Sequence, residues 1–592
     1  MAAQKSIPAA LYDAAAQGDT RRGFTFVGEE GEAFYSFEEM AARAATYAAA
    51  MLRTGLRPGD RVALALPDNA EFVFSFLGAM HAGLVPVPMY PPQGLGKLGF
   101  YLEHARHILH VSEASLLITS AQVKTVLGSL IGGSLRSIRT VQTLGVDDRQ
   151  APLANLRPED PAFLQFTSGS TSRPKGVVLT YGNLSANTQC IRTGLKMNPD
   201  DVGCAWLPLY HDMGLIGFVM TPIANCTPVV LIAPFVFLKR PVEWLRRMTR
   251  HRATLSFAPN FGYGLCASRV RERDCETLDL SSWRVAGCGA EPIQISTLES
   301  FHARFKGVGF HRKAFVLAYG LAENTLAVTF SPLGTPPRSE RVRLDELTAD
   351  GFASAAETDD SSAVMVANCG HQFEGHEVVI LDDDGNRCGS RQVGEIVVRG
   401  PSVMKGYYNN PEATAATIKN GWLYTGDLGF LLDGDLFVCG RIKDLIIVAG
   451  RNYHPSDVEL VVSNVTGIRA GRVVAFSVIS PEGDDTERVV VCAETKAKQA
   501  QYESVEEQVK SRVLETLGLK VSEVALLGRG CLPRTSSGKL QRNKTRELYL
   551  NEKLETAARN EGKFVLLWHL AGSQWGFLKK RVSAVVTGEN RG

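Results

Sequence analysis

The densest run of residues able to do chemistry is Phe166-Thr167-Ser168-Gly169-Ser170-Thr171-Ser172-Arg173-Pro174-Lys175-Gly176. Small hydroxyl residues around a glycine let successive backbone N–H groups turn toward an anion, and the hydroxyls add donors for phosphate oxygens. Lys175 brings positive charge to the same place. The order is not that of a Walker A loop, in which Gly-Lys is followed by Ser or Thr; here Lys175 precedes Gly176. On composition alone a solvated Ser/Thr linker is an equally good reading of the run, and at this point it stays open.

The elements that must position such a loop are legible around it. The apolar stretch Ala162 to Phe166 leads into it as a strand. Upstream, Ser36 and Glu39 form a capping box before Met40, Ala41, Ala44, Tyr47, Ala48 and Met51 at helical spacing, and Gly55 ends that helix. A strand follows at Arg61 to Leu66, then a helix through Phe72, Phe76 and Met80 that Gly83 ends, then a strand around Leu84 to Val87. Strands alternating with helices predict an α/β fold, with parallel sheets covered on both faces, to about Phe330. The stretch 332–363 is polar and rich in Pro, Ser, Thr, Asp and Arg. Strands return at Glu377 to Leu381 and Gly394 to Val398, as in a small β-rich unit. Beyond Gly440-Arg441 lies a smaller α+β segment with strands at Arg472 to Phe476 and Arg488 to Cys492.

Composition excludes several classes. A chain of 592 residues is too long for one core, so at least two domains are expected. With 64 Lys+Arg against 62 Asp+Glu, no clustered positive field argues for nucleic acid. The eleven cysteines form no C-x-x-C pair, so neither a zinc site nor a disulfide framework is expected. The most apolar stretch, residues 222–238, is broken by Asn225, Pro228 and Pro234 and reads as a buried strand pair rather than a membrane span. No signal-like segment opens the sequence. A cytoplasmic enzyme without stable membrane insertion is expected.

The loop resembles the phosphate-binding loop of the adenylate-forming superfamily, apart from Ser172, which stands where most members have glycine. Further motifs of that superfamily follow in order. Gly289-Ala290-Glu291-Pro292 is similar to the segment that lines the adenine pocket. Tyr319-Gly320-Leu321-Ala322-Glu323 is similar to the motif whose Tyr stacks on adenine and whose Glu holds Mg²⁺. Tyr424-Thr425-Gly426-Asp427 resembles the ribose motif. Gly440-Arg441-Ile442-Lys443-Asp444 resembles the hinge, in which Arg441 contacts ribose and Lys443 absorbs a domain rotation. Pro533-Arg534-Thr535-Ser536-Ser537-Gly538-Lys539 resembles the terminal segment whose lysine enters the active site. The resemblance implies a large N-terminal AMP-binding domain, residues 1–440, of two αβ subdomains and a small β-rich subdomain. It also implies a small mobile α+β C-terminal domain, residues 441–592. Thr167 to Ser172, Lys175, Gly289, Ala290, Glu291, Tyr319, Gly320, Leu321, Ala322, Asp427, Arg441 and Lys443 are expected to bind ATP. Glu323 is expected to hold Mg²⁺, and Lys539, His211 and Glu323 to serve catalysis.

Three features resemble the fatty acyl-AMP ligase branch. They are Trp206 to Gly217 with His211 by the substrate carboxylate, the Gly450-Arg451-Asn452 segment followed by Pro455 and Asp457, and the 332–363 stretch as the branch insertion. Phe235, Phe237, Phe257, Phe261, Tyr263 and Leu265 are expected near an apolar substrate pocket. The branch implies a fatty acid as substrate and the phosphopantetheine thiol of an acyl carrier protein as acceptor. Two alternatives stand beside it: an acyl-CoA synthetase, which shares the first step, and a non-catalytic nucleotide- or lipid-binding protein.

Overall fold

The computed structural model describes residues 5–92, 98–167, 174–360, 363–448, 451–479, 487–535 and 539–554. Its first half is built as the alternation predicts. The capping box forms: the Ser36 amide donates to Glu39 Oε2 at 2.7 Å and the Glu39 amide to Ser36 Oγ at 3.2 Å, starting the helix Phe37–Leu52. Two sheets result. One is four-stranded and parallel, in the order Val85–Pro88, Arg61–Ala65, Leu116–Thr119, Ser137–Thr140. The other has nine strands. Its centre runs Phe315–Gly320, Val285–Cys288, Leu255–Ala258, Gly203–Ala205, Val229–Ile232, Gly23–Val27, all parallel, with antiparallel strands at both edges. The central strands are short and apolar because helices cover both faces. Trp244, Trp283, Tyr263 and Phe301 are fully buried in that cover.

The apolar stretch 222–238 is not a strand pair. It holds one strand, Val229–Ile232, between the short helices Thr221–Ala224 and Pro234–Lys239. Pro222 and Pro234 each sit in the first turn of a helix, where a missing N–H costs nothing.

A five-stranded antiparallel sheet forms the β-rich unit. Glu377–Leu381, Gly394–Arg399 and Trp422–Leu432 are its spine, and Asp435–Arg441 and Ile418–Lys419 both pair with the last of these. The described residues of the stretch 332–363 form more than a plain loop. Ser339–Val342 pairs with Val364–Ala367, and the helix Leu344–Ala349 follows the first strand. Val342, Leu347, Ala353 and Val366 pack on Phe430 and Phe437 of the β-rich sheet, whose rings stack at 4.8 Å. Leu344 instead joins Ile446, Tyr453 and Val458 in the core of the C-terminal unit. The insertion therefore bridges the two.

The C-terminal unit has a three-stranded sheet, Ile468–Ile479, Glu487–Thr495 and Glu523–Leu527, and a hairpin of Ile446–Val448 with Arg451–Tyr453. Helices Pro455–Ser463 and Tyr502–Leu517 bury their apolar stripes on this sheet. Among the described residues no helix is long and apolar enough to cross a membrane.

Since Leu344 is the insertion's contact with that core, Leu344→Ala is expected to weaken the docking by about 2–4 kcal/mol, the range for such truncations. Hydrogen exchange should show faster exchange in Pro455–Ser463 and little change in Val285–Cys288.

Candidate active site

The expected residues converge on one cleft of about 3020 Å³ between the large domain and the C-terminal unit. Thr167 ends the strand Pro161–Thr167 and Lys175 begins Lys175–Thr180; the two are paired in register at the mouth of the cleft. Ser168, Gly169, Ser170, Thr171 and Ser172 lie outside the described residues, as do Ala449, Gly450, residues 536–538 and the tail from 555 onward.

Glu323 comes from a tightly wound segment. Gly320 lies so close to the return strand that a Cβ there would stand 2.0 Å from the Leu326 carbonyl oxygen. The chain then turns through Ala322–Asn324 and reverses at Thr325, with φ 67° and ψ −66° and the Leu326 amide donating to Asn324 O at 2.8 Å. This γ-turn is strained for a threonine. Burial of Thr325 and its hydroxyl bond to Ser402 O, 2.6 Å, hold it. The result fixes Glu323 on the cleft wall, where Tyr407 Oη donates to Oε1 at 2.8 Å. Burial pushes the Glu323 carboxyl upward, against the bond from Tyr407. Lys175 lies 4.7 Å over the Tyr407 ring, so these groups make one corner.

A second corner is centred on Asp427, 6% exposed. Tyr319 Oη donates to its Oδ2 at 2.7 Å and Arg441 Nε to its Oδ1 at 2.9 Å. A carboxylate offers about four lone-pair positions, so two donors leave room for two hydroxyls of a sugar. Gly289, Ala290, Leu321 and Ala322 complete the wall. Gly289 admits no side chain, since a Cβ would meet Ala318 O at 2.7 Å.

Lys539 reaches this cleft from the C-terminal unit. Burial lowers its pKa, while the charges of Asp212, Glu291 and Asp427 oppose that and Arg441 adds to it. His211 precedes the helical turn Asp212–Leu215 and is pushed down to about 3, by burial first and then by Lys539. It is therefore a neutral imidazole across the working range. After Leu215 the chain widens into a π-helical turn, Ile216–Met220, which presents Gly217 and Phe218 to the cleft. From there Leu195, Met197, Leu255, Phe257 and Phe330 extend it as an apolar pocket.

Several expectations need correction. Phe235 is 60% exposed, and Phe237 is buried in the core, stacked on Trp206 at 3.8 Å. Tyr263 is also core, its hydroxyl donating to Gly287 O at 2.8 Å. Only Phe257, Phe261 and Leu265 of that group line the cleft. Periodicity cannot tell a pocket-facing aromatic from a core one, because both are screened from water. Asp212 and Tyr407 join the site without a sequence signal: Asp212 by following His211, and Tyr407 because its strand pairs with Lys175–Thr180, which sets its hydroxyl at Glu323. Glu291 lines the cleft beside Gly289 and Ala290; its Oε1 accepts the Phe261 amide at 2.6 Å and its charge acts on Lys539.

Residues 12–408 match the family model for AMP-binding enzymes. The chain belongs to that family. Residues 443–559 match the AMP domain of Disco-interacting protein 2-like proteins. A Caulobacter vibrioides protein bearing an acyl-CoA synthetase name is 38% identical over 91% of this chain and 94% of its own. A medium-chain-fatty-acid–[acyl-carrier-protein] ligase of Moorena producens is 33% identical over 90% of this chain and 93% of its own. A solved fatty acyl-adenylate ligase, from work on the E. coli and L. pneumophila enzymes, superposes with a TM-score of 0.87 at 35% identity, covering 92% of this chain and 98% of that one.

The family's metal is testable against these residues. Among the described residues no three His, Cys, Asp or Glu side chains group to hold an ion alone. Glu323 is a half-buried carboxylate that makes no ion pair among the described residues, on the wall where phosphates would lie. One carboxylate plus substrate phosphates is how Mg²⁺ is commonly held, so the residues fit.

On the helix Pro455–Ser463, Asp457 is pushed up to about 7, by burial first and then by Glu459. The fold thus favours its neutral form. That stabilisation is complete below the ordinary Asp value near 4 and is lost as pH rises to about 7. Denaturant unfolding of the full chain between pH 4 and 8 should show this decline, and Asp457→Asn should flatten it.

Proposed function

We propose that the protein joins a fatty acid to AMP and passes the acyl group to the phosphopantetheine thiol of an acyl carrier protein. One juxtaposition carries this reading. Lys539 of the C-terminal unit stands beside His211 and the Asp427–Tyr319–Arg441 corner, where an apolar pocket opens into the same cleft. A carboxylate at the pocket mouth and a nucleotide α-phosphate would both face Lys539, where two negative groups must approach. In this reading ATP is a substrate, with its ribose on Asp427 and Arg441, its adenine against Tyr319 and Gly289 to Glu291, and its phosphates toward the 167–176 loop and Lys175.

The fatty carboxylate oxygen attacks the α-phosphorus as the bond to pyrophosphate breaks. The ammonium of Lys539 stabilises charge gathering between carboxylate and phosphate. Neutral His211 adds no second cation beside Lys539. A magnesium ion bound by Glu323 would neutralise the leaving phosphates. The small domain then turns about Lys443, withdrawing Lys539, and the carrier thiol attacks the mixed anhydride to give thioester and AMP. The cytoplasm is where this substrate set is available.

The lysine's entry from the smaller unit separates the two steps. Lys539→Ala is expected to lower fatty-acid-dependent pyrophosphate release about 100-fold or more, while sparing transfer from supplied acyl-AMP. Normal release by that variant would remove Lys539 from the mechanism. A second reading, acyl-CoA synthesis, is favoured by the name of the Caulobacter relative. Labelled fatty acid and ATP offered with CoA or with holo-carrier protein decide between them; efficient acyl-CoA formation would overturn the carrier as acceptor.

A further inference from the structure

The corner that holds Glu323 is assembled from segments far apart in the chain. One is the turn Ala322–Asn324 with Thr325; another is the strap 400–408, which carries Tyr407 to the Glu323 carboxylate. The strap lies between two neighbours. On one edge the Lys405 amide donates to Val178 O at 3.1 Å and the Tyr408 amide to Gly176 O at 2.7 Å, along the strand that Lys175 begins. On the other edge the Met404 amide donates to Glu323 O at 2.8 Å. Residues 400–405 belong to no helix or strand, so side chains must fix their place.

The helix Tyr181–Gly194 supplies those side chains. Asn183, Asn187 and Cys190 recur at the spacing that puts them on one face. Asn183 Nδ2 donates to Pro401 O and to Val403 O, each at 2.9 Å. Asn187, fully buried, holds the Glu323 turn: its Nδ2 donates to Ala327 O at 2.9 Å and Asn324 O at 3.3 Å, and its Oδ1 accepts the Ala327 amide at 3.1 Å. Cys190 Sγ lies 3.8 Å from His376 Nδ1, and His376 Nε2 lies 2.8 Å from Ser402 Oγ. The Thr325 hydroxyl, donating to Ser402 O, ties the turn to the strap. A satisfied polar network of this kind rigidifies what it joins.

A merely structural asparagine would satisfy whatever buried carbonyls lie near. Here the carbonyls belong to the residue after Glu323 and to the strap that delivers Tyr407. Asn183 also has two separable tasks. Its Oδ1 accepts the Thr180 amide at 3.0 Å, closing the capping box of its own helix, while its Nδ2 serves the strap. In the helix Val141–Leu144, Thr143 closes the same box from the same position with a hydroxyl, at 2.8 Å. Threonine at 183 can therefore keep the cap while losing both donors to the strap.

We propose that Asn183 and Asn187 are positioning residues for the divalent cation that accompanies ATP. From one helix face they hold the Glu323 turn and the Tyr407 strap in a single register, and so set how tightly the corner binds metal. This rests on ATP with Mg²⁺ as the cleft's ligand and on Glu323 as its metal residue. Every residue of the network lies in the large domain, so the register is the same wherever the C-terminal unit stands.

The test uses the full-length protein and the variants Asn183→Thr, Thr325→Val and Thr325→Ser. Mn²⁺ binding with a nonhydrolysable ATP analogue is followed by electron paramagnetic resonance, and fatty-acid-dependent pyrophosphate release by titration with Mg²⁺. In Asn183→Thr and Thr325→Val, Mn²⁺ affinity is expected to fall about tenfold, the lower range for partners that orient a metal ligand. The Mg²⁺ needed for half-maximal release should rise by a similar factor, with KM for the fatty acid within about twofold of the parent. Thr325→Ser, which keeps the hydroxyl, should bind Mn²⁺ as the parent does. Parent-like Mn²⁺ affinity in Asn183→Thr would overturn the role. So would a loss of release that no Mg²⁺ concentration restores, with fatty-acid KM altered equally, the mark of general damage. Should Asn183→Thr fail to fold, the Thr325 pair decides, and equal affinities in its two variants would overturn the role. A parent that binds the analogue without Mn²⁺ would overturn Glu323 as the metal residue and the positioning role with it. A parent that binds both but releases no pyrophosphate would overturn the fatty-acid reading alone, and the Mn²⁺ comparison would still decide this one.

Discussion

The charge of Lys539, a part-buried ammonium facing carboxylates of the large domain, is the constraint on which the rest of the site depends. Desolvation in the cleft disfavours that charge, and Asp212, Glu291 and Asp427, from three separate segments of the large domain, oppose the penalty. Those carboxylates are themselves costly to bury. Asp212 and Glu291 are both pushed upward by desolvation and drawn back by Lys539. The position of the C-terminal unit and the charge arrangement of the cleft are therefore linked.

The elements around that cluster are arranged to pass this condition on. Arg542 follows the Lys539 segment and binds Asp444 at 2.5 Å and Glu459 at 2.8 Å, tying that segment to the turn Ile442–Asp444 and the helix Pro455–Ser463. Arg441 at the other end of that turn binds Asp427. The insertion adds an apolar link through Leu344 and Leu347, one on each side of the domain division. Ion pairs thus bracket the turn Ile442–Asp444 on both sides.

Much of this was legible in the chain. The capping box at Ser36, the strand–helix alternation and the Gly394–Arg399 strand follow from local rules of spacing and turn chemistry, which act over a few residues. The ordered motifs from Thr167 to Lys539 named the cleft's wall for the same reason: each is a short segment whose residue types suit a phosphate, a sugar or a carboxylate. What failed was whatever depended on direction. Phe235 and Phe257 have the same side chain in similar apolar surroundings, yet one faces solvent and the other the pocket. The 222–238 stretch was apolar enough for strands, and only its prolines at helix starts show otherwise.

By itself, then, the sequence determined the family, the order of the elements and the residue types available to bind a nucleotide, because these are written in short-range pattern. Only the tertiary structure decided that Tyr407 serves Glu323, that Tyr319 and Arg441 share Asp427, and that burial beside Lys539 pushes His211 down. Each of those facts is an electrostatic or hydrogen-bonding relation between residues far apart in the chain. Such relations depend on distance and on exclusion of water, and neither exists until the chain has folded.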